Sequence, residues 1–218
     1  MTDHSSSPSE RFERSFIATL IEDVIAADAN RKTSDSQPNR RNLIRTIFAA
    51  LEGAIWICRE HVREAAASMG ELTPLIDMAL RERTYTVTTT GDVVEQVRHI
   101  TLRAMIRLVV KQAQQLAPSL QVEFSDAGWA KLRAATTIRN RATHPKSIND
   151  LVLNDDIAVV HDALSWVLAL TEDVVSATVT AQTLYNKDMR QILDALKRGE
   201  PAALRDYQLA LTQTSDDD

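Results

Sequence analysis

Residues 40–69 read RRNLIRTIFAALEGAIWICREHVREAAASM. Within them Ile44, Ile47, Phe48, Leu51, Ile55, Cys58 and Val62 recur mostly at steps of three and four, the period that puts side chains on one face of an α-helix. Gly70 follows at once, and glycine readily takes the left-handed backbone that ends a helix. The spacing predicts one long amphipathic helix. Upstream, Phe12, Phe16, Leu20 and Val24, with Ile17 and Ile21, place another helix from Glu10 to about Asn30. The polar, aperiodic stretch from Arg31 to Asn39, with Pro38 in it, reads as a loop.

Downstream the texture alternates. Glu71 to Glu82 reads as a short helical turn around Pro74. Arg83 to Thr90 is rich in threonine, with Tyr85 and Val87 alternating, and Leu120, Val122 and Phe124 alternate likewise, so the two segments can pair as a small ribbon. Between them, Val93, Val97, Ile100, Ala104 and Leu108 predict a central, buried helix from Asp92 to about Ala117. Ser125 or Asp126 can cap a helix that runs to about Thr143, just ahead of Pro145. Asn154 can cap a further one from Asp155 to about Tyr185, carrying Ile157, Val160, Leu164, Val167, Leu168 and Val175. Lys187 to Leu211 also reads as helical, interrupted at Gly199, Glu200 and Pro201. The expected fold is all-α, a bundle of four to six helices with room for a two-stranded β flank. Residues 1–9 are expected to form a disordered tail, 10–198 the helical domain and 199–218 a C-terminal helix with an acidic end.

Composition narrows the function classes. The chain has 218 residues, 44% of them hydrophobic and 25% charged, with only five glycines. That is an ordinary globular composition tilted toward helix. No apolar run reaches the length of a membrane span, and Met1 to Ser9 lacks the apolar core of a signal peptide. Cys58, alone, cannot form an internal disulfide and reads as a small buried hydrophobe, so a cytoplasmic setting is expected. The net charge of −5 argues against indiscriminate coating of nucleic acid. Contact with RNA must then come from a local patch, and Lys131, Arg133, Arg139, Arg141 and Lys146 supply one, opposed nearby by Asp126. A solvated charged face is the plainer reading of that cluster. Glycine-rich phosphate loops, His-Glu-x-x-His, paired cysteines and Gly-x-Ser-x-Gly are all missing, so no metal or cofactor is expected.

The helix ending at Thr143 breaks its own pattern. Its apolar stripe runs through Trp129, Leu132, Ala135, Ile138 and Ala142, and Arg139 lies seven residues after Leu132, close to that stripe. A permanent charge there is costly unless it finds a partner. It is either a snorkelling or internally paired side chain, or a phosphate clamp, since guanidinium presents a planar fork of donors. His144 follows five residues later, a rotation of about 140° on a straight helix. Pro145 disfavours helical backbone at the residue before it, so the chain leaves the helix there and frees the imidazole. A histidine in that position also fits a capping or surface role. On the second helix Arg45 and Glu52 are seven apart and flank Phe48. They can reach a neighbouring helix or form a structural salt bridge.

Arg139-Asn140-Arg141-Ala142-Thr143-His144 resembles the motif of HEPN ribonucleases: an arginine, four to six residues, then a histidine. Asn140 supplies the polar residue that typically follows the arginine. The resemblance covers the motif in residue detail and the architecture from about Arg40 to Tyr185. It implies a metal-independent endoribonuclease that uses the RNA 2′-hydroxyl, and a toxin or antiviral-defence effector. Arg139 would bind the scissile phosphate, His144 would move protons, Asn140 would orient the site, and Glu52 would be an added polar residue from another helix. Arg141, Arg45 and Lys146 would contact RNA; Arg141, a second arginine, departs from the simple pattern. The implied partners are RNA, a second copy of the chain and an antitoxin or other defence-system protein, with no membrane. Apolar positions around Trp56 and Trp166 offer a dimer contact. The family also has non-catalytic members, so the alternative is a silent HEPN-like module, a dimerisation scaffold that binds protein or nucleotide. Arg139 and His144 around one accessible cleft favour the enzyme, whereas a buried Arg139 fully paired with Glu52 favours the scaffold.

Overall fold

The computed structural model describes residues 8–147, 150–200, 202, 205 and 206. Residues 1–7 of the expected tail, and most of the expected C-terminal segment, lie outside these described residues. The fold is all-α with a small β flank: α1 (Pro8–Thr33), α2 (Gln37–Met69), α3 (Pro74–Leu80), β1 (Arg83–Val87), β2 (Val93–Val97), α4 (Leu102–Leu116), α5 (Ala127–Thr143) and α6 (Asn154–Lys197). The chain divides into two compact units. One comprises Met1–Cys58 with Val122–Glu172, the other Arg59–Gln121 with Asp173–Asp218, so α2 and α6 each contribute to both.

In the first unit the helical period becomes a core. Leu43, Ile44, Ile47 and Leu51 of α2, Leu132, Ala135 and Ala142 of α5, and Val160, Ala163 and Val167 of α6 are all fully buried. α1 adds Val24 and Ala27. It comes so close to α2 that a Cβ at Gly53 would stand 2.4 Å from the Leu20 side chain. The start of α5 is keyed to α6. One Asp126 oxygen accepts the Trp129 backbone N–H at 2.6 Å, capping the helix, and the other accepts the Trp166 indole N–H at 3.1 Å. That indole lies over Gly128, where a Cβ would meet it at 1.9 Å. Trp166 is thus tied to α5 within its own chain.

The second unit buries Val62 and Ala66 of α2, Leu80 of α3, Ile106, Val109, Val110 and Ala113 of α4, and Val174 of α6. Here the sequence reading needs correcting. β1 pairs antiparallel with β2, Arg83 opposite Val97 and Val87 opposite Val93, and not with Leu120–Phe124, which carries no strand. A local turn explains the preference: Thr88 N–H reaches Asp92 O at 2.9 Å, closing a far shorter loop than the distant pairing would. Val93 and Val97 are four apart and mimic helical spacing, but valines are stiff at χ1 and suit a strand. α4 therefore begins only at Leu102, where the Thr101 hydroxyl accepts the Ala104 N–H at 3.4 Å. Its buried face runs through Met105, Ile106 and Val109, leaving Ala104 exposed. Helix α6 continues through Tyr185 because no glycine or proline occurs between Asn154 and Lys197. Among the described residues no helix is long and apolar enough to cross a membrane.

Candidate functional site

The candidate residues lie in the first unit, where α5 ends. Backbone and side chain close that end together. The Thr143 hydroxyl donates to Arg139 O at 2.8 Å, and His144 N–H donates to Asn140 O at 2.9 Å. His144 then takes φ −128° and ψ 68°, outside the helical region, as the following proline requires. Its imidazole is exposed and has no hydrogen-bond partner among the described residues. The loop beyond is held by Asp150, whose carboxylate accepts the N–H groups of Lys146 at 2.6 Å and Ser147 at 2.8 Å.

The start of α2 anchors the far side of this loop. Gln37 and Val152 exchange two amide hydrogen bonds, of 3.0 and 2.9 Å, and Arg40 donates to Val152 O at 2.8 Å. Arg41 donates to Asp150 O at 3.3 Å. Asp150 and Val152 are therefore tied to a helix more than a hundred residues away in sequence.

Two arginines of the motif are treated differently. Arg141 forms an ion pair with Asp156 in the first turn of α6, and Asp156 also accepts the Leu153 N–H at 2.7 Å. Arg139 is held loosely. Its guanidinium lies 3.7 Å from a Glu52 oxygen, 3.4 Å from Asn140 Oδ1 and 5.9 Å from the centre of the Phe48 ring. The Arg139 side chain stays 38% exposed and that of Glu52 54%. The position near the apolar stripe thus resolves into a place on its edge, with the cation above an aromatic face and open to water on the other side.

The structure brings Arg139, Asn140 and Glu52 together. Arg45, on the same side of α2 as Glu52, is exposed and forms no ion pair among the described residues. Lys146 is exposed too, with its backbone but not its ammonium engaged. Asp150 and Asp156, which hold the loop and the second arginine, were not singled out by the sequence. The signal for Asp156 was its place in an acidic first turn, which suits the positive end of a helix. Gln37 gave none, since its partner is a backbone amide. Chemically, the arrangement offers an accessible guanidinium for a phosphate and an accessible imidazole for proton transfer at one helix end. Comparison with family models, with curated proteins and with solved structures returns no match.

Proposed function

We propose that this chain is a metal-independent endoribonuclease, a toxin or antiviral-defence effector of the HEPN type that works as a homodimer in the cytoplasm. The observation that carries the reading is the contrast between the two motif arginines: Arg141 is committed to Asp156, while Arg139 is left accessible beside loose partners. A guanidinium so placed exchanges a 3.7 Å contact for a bidentate grip on phosphate at little cost. In the proposed reaction the RNA 2′-oxygen attacks the adjacent phosphorus and the bond to the 5′-oxygen breaks. The 2′-hydroxyl gives up its proton and the leaving oxygen gains one, and His144 serves as acid or base. Arg139 neutralises the charge that develops on the phosphorane, with Asn140 steadying its guanidinium. Lys146 and Arg45 are proposed to hold flanking phosphates. Arg141 supports the site through Asp156.

The silent-scaffold reading draws on one observation, the approach of Glu52 to Arg139. The test is cleavage of a single-stranded RNA in EDTA by wild type, Arg139→Ala and His144→Ala. Each substitution is expected to lower the rate by about 10²- to 10⁴-fold, and DNA of the same sequence should stay intact. A wild type as inert as the variants would leave the scaffold.

A further inference from the structure

Four residues of α2 line one exposed seam. Arg45, Ala49, Glu52 and Trp56 are spaced by four, three and four, so they fall within about 60° of one another around the helix, and all four are exposed. The seam is about 16 Å long at the helical rise. Arg139 leans onto it at Glu52. Trp56, one turn beyond, is 44% exposed. Its ring does not lie flat in the core: Phe16 of α1 meets it in an edge-on contact, with centroids 6.1 Å apart. The indole is thereby braced from one side while much of its surface faces water. A large aromatic thus stands on a helix face otherwise given to charged and small residues.

We infer that Trp56 is a stacking platform for an unpaired base of single-stranded RNA whose scissile phosphate sits at Arg139. The inference rests on the ribonuclease reading above and adds the form of the substrate. The seam offers cations at Arg45 and Arg139, with Glu52 beside Arg139, and a part-exposed indole at Trp56; a basic track and an aromatic are the two devices by which single strands are held. At the rise of stacked bases it spans about four or five of them. Paired RNA hides its base faces inside the helix, so an indole on a surface helix selects unpaired segments. Trp56 is a binding residue and touches no reacting atom.

The test uses the full chain carrying His144→Ala, so that RNA is bound and not consumed, with a short single-stranded oligoadenylate and its blunt duplex with oligouridylate as probes. Oligoadenylate should quench tryptophan fluorescence in this protein and much less when Trp56→Phe is added. Trp56→Leu, which keeps apolar volume against Phe16, should weaken binding about tenfold or more, and Trp56→Phe should restore most of it. Arg45→Ala should flatten the salt dependence of binding, whereas Trp56→Leu should leave that slope unchanged. With His144 intact, Trp56→Leu should raise KM and spare kcat. Equal affinity of the leucine variant, equal binding of the duplex RNA, or a loss of dimer mass as its main effect overturns the proposal. If wild type does not cleave RNA yet the Trp56-dependent quenching persists, the nuclease reading fails and only the stacking of an unpaired base on Trp56 stands. Normal cleavage with an unaltered KM in Trp56→Leu gives the converse.

Discussion

Arg139 and Arg141 stand two positions apart on one helix, yet removing each should have a different consequence. Arg139 is half-exposed with partners at 3.4 Å and beyond, so Arg139→Ala should cost no more than about 1 kcal/mol of stability. Arg141 closes an ion pair on a carboxylate that is only 15% exposed, and its loss leaves Asp156 with the Leu153 amide alone. Arg141→Ala should therefore cost about 1–3 kcal/mol. Urea unfolding of both variants checks the order, and a larger loss for Arg139 would contradict it. The edge position of Arg139 was legible from its place seven residues after Leu132. The commitment of Arg141 was not, because its partner depends on where the intervening loop delivers the first turn of α6.

Cys58 gives a second prediction at this scale. Burial pushes its thiol up to about 12, from an ordinary value of about 8.5–9. In the unfolded chain the thiol ionises first, so the folded state binds more protons above that ordinary value. The contribution is fully present below pH ~8.5 and is lost toward pH 12, at up to about 1.4 kcal/mol per pH unit. Stability measured from pH 8 to 10 should fall less steeply in Cys58→Ala, and the native thiol should resist alkylation until the protein unfolds. Prompt modification of the folded protein would refute the burial argument.

Among the elements, the contact between α5 and α6 is the sharpest. Gly128→Ala would place a methyl group 1.9 Å from the Trp166 ring, which must swing away and release its hydrogen bond to Asp126. The expected loss is about 2–4 kcal/mol, the sum of overpacking and a broken bond. Thermal unfolding reads it, and an unchanged midpoint would show that the indole has room. The helices themselves were legible because apolar periodicity survives a single sequence. The hairpin was misread in its partner and α4 in its start, since Val93 and Val97 satisfy a helical step while their β-branching and the turn at Thr88–Asp92 favour a strand. Turn chemistry, not periodicity, decided that segment.

For the whole molecule, a single motif supplies one histidine, whereas transesterification moves a proton at both the attacking and the leaving oxygen. The proposed two-fold dimer would bring two motifs together and concentrate positive charge that a chain of net charge −5 lacks. If both histidines are needed, mixing wild type with excess His144→Ala and letting subunits exchange should lower cleavage below simple dilution of wild-type sites. A proportional decline would assign each site to one chain. The proposed reaction is tested most directly by the masses of any fragments produced from a single-stranded RNA in EDTA. Attack by the 2′-hydroxyl should leave 5′-fragments ending in a 2′,3′-cyclic phosphate and 3′-fragments beginning with a 5′-hydroxyl, both absent with His144→Ala. Intact RNA in EDTA that is cut only when Mg²⁺ is added, or fragments bearing a 5′-phosphate, would contradict it.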